Sequence, residues 1–139
     1  AQEDVVEDFL HAFHEASVPD FERMMRHFAE DAVYLPLVPD GSEFTGPANI
    51  IKILSNQFET YNDCECEILA IGSGPNHVFT ERIDHVTIVR DGRRVHSRVC
   101  AVFQLNGDNK ITHWREYWDT GNITKQMGVS REALDKDIA

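Results

Sequence analysis

Four long segments of alternating character, separated by strong turn signals, fill the second half of this chain, and they constrain its fold more than any other feature. In residues 64–71, Glu65 and Glu67 alternate with Cys66 and Ile68. That is the two-residue period of a half-buried strand. Residues 72–76 (GSGPN) then read as a turn. Residues 77–90 form a second strand, Asp91-Gly92 signals a two-residue hairpin, and residues 93–105 return. Residues 106–109 (NGDN) turn again, and residues 110–119 make the last strand. Short connections join antiparallel neighbours, so these four strands predict a meander.

The first half is mostly helical. Val5, Val6, Phe9, Leu10 and Phe13 recur at helical spacing, predicting a helix over residues 4–16. Pro19 opens a second helix, with Phe21, Met24, Met25 and Phe28 as its apolar stripe. Residues 31–35 (DAVYL) read as a short strand, and residues 36–42 as a loop. Gly46-Pro47 starts a third helix that buries Ile50, Ile51, Leu54 and Phe58. The polar tail, residues 121–139, predicts one or two short helices. No alternating βαβ pattern is present, so a doubly wound sheet is excluded. The expected architecture is α+β, with one domain over residues 1–139. A curved, cone-shaped antiparallel sheet packs on three helices of the N-terminal half and encloses a space on its concave side.

At 139 residues the chain is long enough to bury a substantial core. No run of eighteen apolar residues is present, so no membrane-spanning helix is expected. The acidic, amphipathic start AQEDVVEDFLHAF lacks the pattern of a signal peptide, which makes the cytoplasm the default compartment. The net charge of -11 repels nucleic acid and anionic membranes. Cys64, Cys66 and Cys100 make no recognisable metal spacing and read as free thiols on strands. The seven histidines are scattered and make none either.

Strand parity singles out the candidate site. Side chains at alternate positions share a face, so Val78, Thr80, Arg82, Asp84, Val86 and Ile88 point the same way. If that face is inside, a guanidinium and a carboxylate sit together among apolar groups. Such a pair is costly to bury and often marks ligand chemistry. On the last strand Thr112, Trp114, Glu116 and Trp118 share a face, which puts a carboxylate between two indoles. Desolvation there raises its pKa unless a cation offsets it, and Arg82 is the candidate cation. Parity alone leaves open a solvent-exposed ion pair, with the indoles covering another surface.

The stretches FTERIDHV (79–86), VCAVFQLNGDNKITHWREYWD (99–119) and FAEDAVYLPL (28–37) resemble limonene-1,2-epoxide hydrolase and its relatives. Those belong to the SnoaL-like branch of the nuclear-transport-factor-two-like, or cystatin-like, fold. The resemblance implies an Asp-Arg-Asp site with a Tyr and an Asn. Arg82 matches the bridging Arg and Asp84 the Asp that protonates the epoxide oxygen. Tyr34 matches the Tyr that helps hold the attacking water. Glu116 falls where the family has the water-activating Asp, and Pro36 where it has Asn. Met24, Val86, Val99 and Trp118 are the wall residues it implies.

The expected function is therefore one-step addition of water to a small hydrophobic epoxide, needing neither metal nor other cofactor. Asp84 is the acid, Glu116 the base, and Arg82 bridges them. Two other readings stay open: proton transfer on a hydrophobic carbonyl compound, as in ketosteroid isomerases and polyketide cyclases, and non-catalytic binding of a small molecule. The resemblance also implies a homodimer packed through the outer sheet face, with Ile83, Val89, Cys100 and Val102 in support.

Overall fold

The fold is described from a computed structural model covering residues 1–138. Helix α1 (Gln2–His11) buries Val6, Phe9 and Leu10, the apolar stripe of its period. A 3-10 turn at Ala12–His14 follows. Helix α2 is a single turn, Phe21–Met24, capped by Asp20 Oδ1, which accepts from Arg23 N at 3.1 Å. A second 3-10 turn, Met25–His27, leads into strand β1 (Phe28–Leu35). Phe28 thus begins a strand instead of completing a helical stripe. Strand β2 (Phe44–Thr45) pairs antiparallel with β1. Gly46, at φ 86°, enters helix α3 (Pro47–Thr60), where Pro47 occupies the first turn.

Strands β3 (Tyr61–Gly74), β4 (His77–Ile88), β5 (Arg94–Leu105) and β6 (Ile111–Trp118) form the expected antiparallel meander. The sheet order is β2-β1-β6-β5-β4-β3. β1 docks parallel to β6, so the sheet is mixed, not wholly antiparallel. Local periodicity carries no information on which edge a distant strand joins. β3 runs on through Gly74, and the turn is Pro75–Asn76, with Asn76 at φ 59°. The connection at Asp91-Gly92 spans residues 89–93. Ile88 N donates to Arg93 O at 2.8 Å and Gly92 N to Ile88 O at 2.8 Å. Register shifts in β3 between Asn62 and Glu65, and between Ile68 and Ala70, are bulges that bend the long outer strand.

The tail forms two helices, α4 (Thr120–Met127) and α5 (Arg131–Asp137). Asp119 caps the first, Ser130 caps the second, and Gly128 ends α4 in the left-handed region at φ 68°. α4 packs against β5 and α5 against α3. The helices cover the inner face of the sheet, and the core between them holds Phe9, Phe103, Trp114, Leu54 and Ile111. No helix of the described residues is long and apolar enough to cross a membrane.

Candidate active site

β4 presents its expected face inward: Val78, Thr80, Arg82, Val86 and Ile88 are buried, and Asp84 is half-buried. On β6, Trp114 and Glu116 point into the same interior. Their strands are separated only by β5, where Val99 pairs with Arg82 and Ala101 with Glu116. Three charges from two strands therefore meet on one floor.

Arg82 is 1% exposed and sits at the centre. Its Nε donates to Asp84 Oδ1 at 2.7 Å and its Nη2 to Asp84 Oδ2 at 2.9 Å, a two-pronged fork. The same Nη2 donates to Glu116 Oε1 at 2.6 Å. Trp114 Nε1 donates to Glu116 Oε2 at 2.9 Å, so both oxygens of that carboxylate are held. Burial works against the Arg82 charge, but Asp84 and Glu116 outweigh it and keep the guanidinium firmly protonated. Burial pushes the Glu116 carboxyl above its ordinary value of 4.5, and Asp84 adds to the push. Arg82 and the Trp114 indole oppose it.

Above this floor lies an open-mouthed cavity of about 80 Å3. Asp84, Glu116 and Tyr34 reach it, and Val86, Val99 and Trp118 form part of its wall. Tyr34 stacks on Trp114 with ring centroids 3.8 Å apart. Its phenol is pushed well above the ordinary tyrosine range by burial, then by the Glu116 charge, and so stays a neutral hydroxyl. Pro36 also faces the cavity, and its carbonyl accepts from Trp118 Nε1 at 2.7 Å.

Met24 does not line this cavity. It sits on the one-turn helix α2, which packs on α3, and its side chain is 3% exposed in the core. Its helical stripe identified it as apolar but not which side of α3 it would meet. Cys64 lines the cavity, Cys66 lies behind it with the two sulfurs 3.9 Å apart, and Cys100 is exposed on the outer face. Cys100 therefore does not pack inside the fold.

Several cavity residues escaped the sequence reading. Gln57 of α3 is 2% exposed and donates through Nε2 to Tyr34 Oη at 3.2 Å. Tyr61 donates to Gln57 Oε1 at 3.4 Å. Ile123, Met127 and Ile138 of the tail close the far wall. A signal for Gln57 was present: it falls three residues after Leu54, inside the apolar stripe of α3, where a polar side chain needs a partner. Among the described residues no cluster of three or more His, Cys, Asp or Glu side chains is placed to hold a metal ion.

The family model for the limonene-1,2-epoxide hydrolase catalytic domain matches residues 1–129. The chain belongs to the limonene-1,2-epoxide hydrolase family. Among solved structures, an epoxide hydrolase of M. tuberculosis described as like this family is 30% identical. The match covers 89% of this chain and 86% of that one, with a TM-score of 0.73. SalBIII, described as an epoxide hydrolase/cyclase-like enzyme in pyran ring formation in the polyether salinomycin, is 18% identical. It matches over 87% of this chain and 92% of its own, with a TM-score of 0.76. A Catenulispora acidiphila protein with a ketosteroid isomerase-like fold, in complex with trimethylamine, is 16% identical over 93% and 95% of the two chains, at a TM-score of 0.79. These last two show a shared fold.

Proposed function

We propose that this chain adds water to a small hydrophobic epoxide in one step. The observation that carries the reading is the Arg82 clamp, which holds Asp84 and Glu116 together beneath an apolar cavity. The epoxide ring lies over the floor with its oxygen at Asp84. Asp84 gives its proton to that oxygen as the C–O bond breaks. Water attacks the carbon from the other side and loses its proton to Glu116. The diol leaves with Glu116 protonated and Asp84 ionised, and passage of that proton from Glu116 to Asp84 resets the pair. Burial suits Glu116 to the base role, because a carboxylate whose pKa is raised holds the abstracted proton better. The apolar walls limit bulk water near the ring.

One observation favours a second reading. Pro36 offers the cavity no side-chain donor, and its carbonyl is already engaged by Trp118. Water placement then rests on fewer groups, which suits proton transfer on a hydrophobic carbonyl compound. Turnover in 18O-labelled water separates the readings. Hydrolysis puts one labelled oxygen into a diol, and proton transfer exchanges substrate hydrogen with solvent without oxygen uptake. Thermal stabilisation by an epoxide with no product at all would identify a binding domain and defeat both.

The same reading carries a homodimer paired through the outer face of the sheet. Phe79 and Tyr117 are exposed on that face, with Ile83 and Val102 half-buried on it, and Val89 is exposed in the adjoining 89–93 connection. Light scattering at low micromolar concentration should give twice the 15.9 kDa chain mass, and a strictly monomeric mass would refute the pairing.

A further inference from the structure

Gln57 uses all of its hydrogen-bonding capacity that the fold makes visible. Its Nε2 lies 2.7 Å from the carbonyl oxygen of Ile138, and a carbonyl only accepts, so the nitrogen assignment is fixed by chemistry. The second hydrogen of the same nitrogen goes to Tyr34 Oη at 3.2 Å, and Oε1 accepts from the Tyr61 hydroxyl at 3.4 Å. A hydroxyl that accepts a bond from one side keeps its own hydrogen for another partner. For Tyr34 that hydrogen is left for the cavity, which Glu116 also lines. Residue 36, on the same wall, is proline and has no side-chain donor to share the task.

We propose that Gln57 is a positioning residue that aims the Tyr34 O–H at the attacking water, with the closed tail as part of the same relay. Gln57 does not touch the water, because both of its amide hydrogens are spent on Tyr34 and Ile138. It acts through Tyr34. The bond to Ile138 O, together with Asn56 Nδ2 donating to Asp137 O at 3.2 Å, ties α3 to the segment that closes the cavity. The water-orienting hydroxyl and the cavity wall are thus set by one amide.

This rests on the epoxide-opening reading, and the test keeps the two apart. Steady-state hydrolysis of a small hydrophobic epoxide is compared for the parent chain, Gln57→Leu, and Gln57→Leu combined with Pro36→Asn, with thermal melts run alongside. Gln57→Met keeps the length of the side chain and replaces Leu if the Leu variant does not fold. For Gln57→Leu, kcat should fall on the order of a hundredfold, the penalty of a misplaced reacting group. KM should stay within about threefold, since leucine keeps a side chain of similar size at that point of the cavity wall. The added amide at residue 36 should restore at least about tenfold of the lost kcat. Retention of kcat by Gln57→Leu in an active parent overturns the inference and leaves the function intact. Loss of kcat with no recovery in the double variant shows a packing role and also overturns it. Absence of turnover by the parent chain overturns the epoxide reading and this inference with it.

Discussion

Trp114 Nε1 donates to Glu116 Oε2 at 2.9 Å, two residues away on the same face of β6. The indole thus stabilises the ionised carboxylate from the side opposite Arg82. Replacing it by phenylalanine removes the donor and leaves a buried oxygen unmet. Trp114→Phe should cost about 1–3 kcal/mol of stability, read by urea denaturation. It should also move the acidic limb of the kcat profile to higher pH, because burial raises the Glu116 pKa and one of the two groups opposing that rise, the lesser beside Arg82, is gone.

Asp84→Asn and Glu116→Gln should each lower epoxide turnover by about a thousandfold, within the range of a lost acid or base. Circular dichroism should show the fold retained. Glu116→Gln carries an added cost: Arg82 and Trp114 donate to different oxygens of the carboxylate, so one of these donors would face the amide NH2, itself a donor. Diol formation near the parental rate by either variant would remove that residue from the mechanism.

Glu116 makes an unusual contribution to pH-dependent stability. Its native pKa lies above the ordinary 4.5. Folding therefore favours its protonated form. The stability this group adds is fully present below the ordinary glutamate value and is lost as pH rises through the raised native value. Wild-type unfolding free energy, minus that of Glu116→Gln, should fall with rising pH across that window. A difference that rises with pH would show a carboxyl held below its ordinary value.

Val86→Phe fills the cavity without touching the Arg82 fork, since Val86 lies two residues beyond Asp84 along β4. Substrate of parental size should lose about tenfold or more in kcat/KM, by the measure of a changed apolar pocket. Thermal stabilisation by the epoxide should shrink in parallel.

The site's floor was legible because strands encode it simply. A period of two places Arg82 with Asp84, and Trp114 with Glu116, whatever the rest of the chain does. That the face is inward required two strands showing the same anomaly. The walls were less legible because helices and tails meet the sheet through tertiary packing. Met24 and Gln57 both lie on apolar helical stripes, yet one ends in the core and the other beside Tyr34. Ile123, Met127 and Ile138 come from a polar tail whose few apolar residues carry no strong period. The parallel docking of β1 on β6 was equally invisible, since it joins strands more than seventy residues apart.

The tail that supplies Ile123, Met127 and Ile138 contributes no charge to the floor. The proposed reacting groups stand in the sheet, and part of the enclosing surface comes from α4 and from Ile138 just past α5. Substitutions at Ile123, Met127 and Ile138 would retune which molecules fit while Arg82, Asp84 and Glu116 stay as they are.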